Sequence, residues 1–158
     1  MQKKITTFLT FDGRAEEAIE FYTSIFGDSR VTSKSYYGDA GPGEKGSLMT
    51  GTFELAGQEF MALNGGPSFE FSTGISLFVD CETQEEVDDL WERLSEGGEK
   101  GPCGWLTDKF GVSWQIVPRR LGELLRDPDA EKSQRVMEAM LQMGKIDVAG
   151  LERAAASG

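Results

Sequence analysis

The chain repeats one outline twice. Glu16-Glu17 recurs as Glu85-Glu86, and at the same offset of 69 Ala18 matches Val87, Phe21-Tyr22 match Leu90-Trp91, and Ile25 matches Leu94. The segment before that helix matches its counterpart at an offset of 68. The segments after it match at 54: Gly57 with Gly111, Phe60 with Trp114, Met61 with Gln115, Leu63 with Val117. Such duplication confines the chain to folds assembled from two like units.

The pattern within each unit is legible. Residues 4–11 read as a strand. Residues 14–26 read as a helix, with Ala15, Ala18, Ile19, Tyr22, Ile25 and Phe26 on one face, Glu16 and Glu17 at its positive end and Gly27 beyond its last turn. A strand over 30–37 leads into "GDAGPGEKG" (38–46), read as a flexible loop. Residues 47–63 read as two antiparallel strands turning at Ala56-Gly57-Gln58, followed by a connector over 64–72. A strand over 74–81 then restarts the series. Thr83 with Glu86 forms a capping box, and Val87, Leu90, Trp91 and Leu94 supply the stripe of a helix ending at Gly97-Gly98. Strands near 99–106 and 112–117 complete the second copy, which lacks the glycine-rich loop. Asp127-Pro128 is read as the N-cap and first residue of a C-terminal helix, and a last short helix spans 147–155. The expected fold is α+β: two tandem βαβββ modules (about 4–65 and 73–118) forming a curved, barrel-like mixed sheet, with a helical tail over 119–156, all in one domain.

Composition removes several functions. A net charge of −11 repels phosphate backbones and argues against nucleic acid. There is no histidine, so His-based triads and HExxH zinc sites are absent. Cys81 and Cys103 form no CxxC and read as reduced, partly buried thiols. No run of about 18 apolar residues exists to cross a membrane. "MQKKITTF" lacks the apolar core of an export signal, so the expected location is the cytosol.

"FLTFDGRAEEAIEFYTSIFGD", "FVDCETQEEVDDLWERLSEGG", "CGWLTDKFGVSWQIVP" and "RVMEAMLQMGKIDVAGLERA" together resemble the vicinal oxygen chelate superfamily of glyoxalases, extradiol dioxygenases and bleomycin-resistance proteins. The wording is similar to its PhnB-like branch, often labelled demethylubiquinone methyltransferase-like. The resemblance implies a cleft lined by both modules, homodimer formation, and, in metal-using members, a divalent cation held by first-strand histidine and last-strand glutamate. Here those ligand positions fall on Thr6 and Gly74 in the first strands and on Met61 and Gln115 in the last. None is a usual ligand for a catalytic dication, so no metal is expected.

Strand alternation places Thr6, Phe8, Thr10, Met61, Leu63, Ser76, Phe78, Ser113 and Gln115 on the cleft face. Ile5, Leu9, Phe11, Ile75, Leu77, Val79, Phe60, Trp114 and Ile116 take the opposite, helix-covered face. The ligand-binding candidates are Thr6, Phe8, Thr10, Met61, Ser76, Phe78 and Gln115. Gln115 either meets a ligand or makes a structural hydrogen bond to Thr6 or a neighbouring strand. No cofactor is expected, because "GDAGPGEKG" leads into a strand and matches neither GxGxxG nor Walker A. The preferred reading is a metal-independent small-molecule binder. A lyase or isomerase of the superfamily and a protein-interaction module stay open as alternatives. Methyl transfer is not favoured.

Overall fold

The structure, a computed structural model, describes residues 4–157. The first residues of the segment read for export signals, Met1 to Lys3, lie outside that range. The described residues fall into two compact units that divide between Glu70 and Phe71.

The first unit runs β1 (Thr7–Phe11), α1 (Ala15–Ile25), β2 (Ser29–Tyr36), β3 (Leu48–Leu55) and β4 (Gln58–Asn64). Its sheet has the order β1-β4-β3-β2, with β1 parallel to β4 and the other pairs antiparallel. The parallel pair needs a crossover, and α1 begins it. Ala18, Ile19, Tyr22 and Ile25 bury the apolar stripe of α1 against a sheet face made of Leu9, Phe11, Phe53 and Phe60. Tyr22 stacks on Phe53 at 6.4 Å and Phe53 on Phe60 at 5.5 Å. Gly51 lets α1 sit close, since a Cβ there would lie 2.5 Å from Ile19 Cδ1. Ala56 and Gly57 both take positive φ, 49° and 84°, as a two-residue hairpin turn requires.

The second unit repeats the plan with β5 (Leu77–Cys81), α2 (Gln84–Ser95), β6 (Glu99–Lys100), β7 (Trp105–Thr107) and β8 (Ser113–Pro118), in sheet order β5-β8-β7-β6. Thr83 Oγ1 accepts from the Glu86 N–H, and Glu86 returns its carboxylate to the Glu82 N–H. Val87, Leu90, Trp91 and Leu94 are buried as predicted. The tail forms α3 (Arg119–Leu125), α4 (Ala130–Leu141) and α5 (Val148–Ala156) around Val117, Leu121, Leu124, Val136, Ile146, Leu151 and Ala155. Gln84 ties this tail to α2: its Nε2 donates to the Ile146 carbonyl and its Oε1 accepts from the Val148 N–H.

The fold is therefore the predicted α+β arrangement: two βαβββ modules, two four-stranded mixed sheets and C-terminal helices. Neither sheet closes into a barrel. Three details differ from expectation. The first strands are shorter than predicted, and Ile5 and Ile75 lie outside them, 88% and 74% exposed, not under the helices. Helix α4 is capped by Asp129, whose carboxylate accepts from the N–H groups of Glu131 and Lys132, rather than by Asp127. Asp127 instead accepts from the Asp129 N–H and pairs with Lys132, which moves the helix start two residues on.

Candidate functional site

In the first unit the β-registers bring Phe8 beside Met61, and Met61 beside Thr52. Thr10 lies beside Leu63, which lies beside Thr50. Phe8 is 48% exposed, whereas its strand neighbours Leu9 and Phe11 are buried. Thr6 donates its hydroxyl to Glu59 Oε1 at 3.2 Å. This face thus carries the candidates Thr6, Phe8, Thr10 and Met61, together with a carboxylate, Glu59, that alternation alone would have assigned to it.

In the second unit Phe78 lies beside Gln115 on β8, and Trp105 of β7 lies beside Gln115 on its other side. One row across the sheet therefore reads Phe78, Gln115, Trp105. Phe78 is 59% exposed and Trp105 37%. Gln115 Nε2 donates to Ser76 Oγ at 3.0 Å, the neighbouring-strand bond considered above, and its half-buried Oε1 is left to accept. Trp105 was not among the candidates. The hairpin register would have found it, because residues 108–112 form the turn and Thr107 pairs with Ser113.

The repeat is corrected at one point. Thr7 pairs with Phe60 and Leu77 with Trp114, so Leu77 stands where Thr7 does and Ser76 where Thr6 does. Gly74 is not the counterpart of Thr6. The displacement of two residues preserves side-chain parity, which is why the face assignment survives it.

Loop 38–46 has a packing role. The Tyr37 hydroxyl donates to the Asn64 carbonyl, the Tyr37 N–H donates to Ser47 O at 2.8 Å, and the Gly46 N–H donates to Tyr37 O at 2.8 Å. A Cβ at Gly43 would lie 2.2 Å from the Tyr37 ring, and one at Gly41 2.8 Å. The glycines let the chain wrap this ring. A cavity of about 220 Å³ opens beside it, lined by Asp12, Tyr37, Glu44 and Asn64. None of the seven candidates lines that space. A second cavity, about 180 Å³, lies in the second unit against Trp105, Thr107 and Ser113.

Several other polar groups have structural roles. Asp80 accepts two bonds from Arg119. Asp108 is 2% exposed and accepts from the N–H groups of Phe110 and Val112 and from Trp114 Nε1. Burial, with Glu86 and Asp80 nearby, pushes the Cys81 thiol up to about 12, so it is no nucleophile. The N-terminal N–H of α1 at Ala15 is taken by Asn64 Oδ1, and α2 is capped by Thr83.

A superfamily dication does not fit the donors present. Thr6 is committed to Glu59, Ser76 to Gln115, and Met61 offers only a thioether. No group of three His, Cys, Asp or Glu side chains that could hold a metal occurs among the described residues. No helix among them is long and apolar enough to cross a membrane.

The family model described as 3-demethylubiquinone-9 3-methyltransferase matches residues 3–117. Among solved structures, the chain is similar to the PhnB protein of Bacillus cereus: 44% identity, TM-score 0.67, covering 73% of this chain and 99% of that one. A Pseudomonas aeruginosa protein aligns at 24% identity and TM-score 0.63, over 74% of this chain and 98% of that one. The fosfomycin resistance protein FosX of Listeria monocytogenes aligns at 19% identity and TM-score 0.59, over 80% of this chain and 98% of its own. At such identities the last two speak for the fold alone. No curated protein matches.

Proposed function

The chain belongs to the 3-demethylubiquinone-9 3-methyltransferase family, the PhnB-like branch of the vicinal oxygen chelate superfamily, and from that premise we propose that it binds a small, partly apolar molecule without a metal. The observation that carries this reading is the row Phe78, Gln115, Trp105. Two exposed aromatic side chains flank an amide whose oxygen is free to accept. Exposed aromatic surface around few polar groups is the composition of a small-molecule site. Phe8 and Met61, with Thr6 and Thr10, supply a like surface on the first unit. The two units act as one domain, and the protein works in the cytosol as a homodimer.

The donor chemistry favours a metal-free site. Neutral hydroxyl and amide groups, with Ser76 taken by the Gln115 NH₂ and Thr6 by Glu59, do not offset the dehydration of a doubly charged ion. The donors for S-adenosylmethionine are also spoken for. The glycine-rich loop encloses Tyr37, and the two strand-to-helix turns have their helix N-termini capped from within. Methyl transfer is therefore not part of this proposal.

A second reading, a lyase or isomerase, draws on Glu59, a carboxylate on the Thr6 face that could take a proton. Glu59→Gln separates the two: a binder keeps its ligand affinity, whereas an enzyme loses turnover.

Thermal shift tests the main proposal. A ligand at 100 times its Kd stabilises by about 2.7 kcal/mol. We expect a small organic molecule to raise Tm in the wild type and to do so much less in Gln115→Ala. Manganese, magnesium, nickel or zinc at submillimolar concentration should leave Tm unchanged. A metal-dependent rise in Tm overturns the proposal.

A further inference from the structure

The charges around Trp105 are arranged asymmetrically. Glu99 pairs with Thr107 across β6 and β7, so it shares the face of Thr107, Ser113 and Trp105. It has no ion-pair partner among the described residues and lines the 180 Å³ cavity. The only cation among the lining residues is Lys100, one position along, on the opposite parity. Its Nζ sits 2.9 and 3.0 Å from the two oxygens of Glu92, on α2. The cation is neutralised and turned away, while the carboxylate is left facing the space.

The shape of the space is set by glycine. The Gly101 N–H donates to the Trp105 carbonyl at 2.8 Å, which extends the β6–β7 register so that position 101 lies beside Trp105. A Cβ there would lie 3.6 Å from Trp105 Cβ, so glycine leaves room beside that side chain. Thr73, Pro102, Leu106, Thr107 and Ser113 line the rest. An enclosed cavity of about 150 Å³ accepts a benzene ring; this one, open to solvent on one side, has room for a single ring with a short substituent.

We propose that this cavity binds an aromatic molecule carrying a protonated amine, its ring on Trp105 and its ammonium on Glu99. The assignment rests on the small-molecule reading above and adds the charge of the ligand to it. A cation also gains from the electron-rich face of the indole. An anion would meet an unpaired carboxylate with no cation to offset it, on a chain whose net charge is −11. Phosphonates and carboxylates are thereby disfavoured.

The test uses three probes with the same ring and two-carbon linker: 2-phenylethylammonium, 2-phenylethanol and 3-phenylpropanoate. Each is titrated into the full chain at about 0.15 M salt, where longer-range charge is screened. The readouts are the Trp105 indole N–H, assigned by its loss in Trp105→Phe, and the Gln115 side-chain amide. We expect the ammonium to bind five- to tenfold more tightly than the alcohol and the carboxylate to bind least. Glu99→Gln should erase the advantage of the ammonium over the alcohol, and Glu99→Lys should reverse the order. Both exchange an exposed side chain, and the amide spectrum verifies that the fold is kept. If the alcohol shifts both signals but the ammonium has no advantage, or if Glu99→Gln changes nothing, the charge assignment is wrong and the small-molecule reading survives. If no probe shifts either signal, the cavity is not the site and the assignment falls; the small-molecule reading is then decided by the thermal-shift result with Gln115→Ala.

Discussion

Replacing Asp108 tests how the second unit holds Trp105 opposite Gln115. The Asp108 carboxylate accepts from the Phe110 N–H at 2.9 Å and the Val112 N–H at 3.0 Å through one oxygen, and from Trp114 Nε1 at 2.9 Å through the other. The Val112 and Trp114 bonds are buried, and the Phe110 bond is partly so. Asp108→Ala would strand two buried donors and one half-buried one, each costing about 1–3 kcal/mol. Together the three come to roughly 3–9 kcal/mol, a large share of the 5–15 kcal/mol typical of a folded domain. Asp108→Asn keeps an acceptor for the two amides but turns an NH₂ toward the indole N–H, so its loss should be smaller. Trp114→Phe removes that conflict. The pair should couple by about 0.5–3 kcal/mol in a double-mutant cycle. Urea unfolding of the wild type, Asp108→Ala, Asp108→Asn, Trp114→Phe and the Asp108→Asn/Trp114→Phe pair measures all of this. A loss below about 1 kcal/mol for Asp108→Ala would refute the claim that this carboxylate pins the turn. The functional consequence follows from register: a one-residue slip of β7 on β8 turns Trp105 to the buried face.

Two further outcomes are expected. A Cβ at Gly98 would lie 2.1 Å from the Thr107 carbonyl oxygen and 2.7 Å from Asp108 C, so Gly98→Ala must move backbone and should lower Tm, at a cost of about 1–3 kcal/mol by analogy with overpacking. Gly27→Ala, which meets nothing within 4 Å, should leave Tm nearly unchanged in the same scan. Burial raises the Cys81 thiol to about 12, above its ordinary value in the unfolded chain. The folded state therefore keeps a proton that the unfolded state releases, and this contribution to stability, complete below pH 9, is lost as pH rises toward 12. Cys81→Ala should flatten that slope, by about 1.4 kcal/mol per pH unit at most, and Ellman's reagent at pH 8 should reach Cys81 only after unfolding.

Periodicity made the architecture legible. The helix stripes at Ala18, Tyr22 and Ile25 and at Val87, Trp91 and Leu94 are buried as read, because a helix on a sheet has one way to hide an apolar face. The faces of β1, β4, β5 and β8 were legible for the same reason, since parity survives an error of two residues. What parity cannot supply is where a strand begins. Ile5 and Ile75 have the composition of buried strand residues but lie before the first ladder pair, and are exposed. The site was less legible, because it depends on pairings between distant segments. Trp105 meets Gln115 only through the hairpin register, and Glu59 meets Thr6 only through the β1–β4 alignment. The glycines of loop 38–46 looked like a flexible loop; their cause is a ring, Tyr37, at the loop's own base.

The two modules place their polar pairs at different steps of the same plan. Both keep a hydroxyl at equivalent places before the first strand, Thr6 and Ser76, and each hydroxyl is bonded to the last strand of its own sheet. The partners, however, are not equivalent. Thr6 bonds Glu59, whose counterpart in the second unit is Ser113; Ser76 bonds Gln115, whose counterpart in the first is Met61. Each unit thus carries one polar pair, and the two pairs lie one same-face step apart along the last strand. A dication needs several charged oxygens, and of these two pairs only the first contains a carboxylate, Glu59. Gln115→Glu places one carboxylate beside Ser76 and should therefore still bind no manganese, a result that calorimetry would read directly. If Gln115→Glu bound manganese tightly, a single carboxylate would suffice and the shortage of charged donors would not be what keeps the metal out.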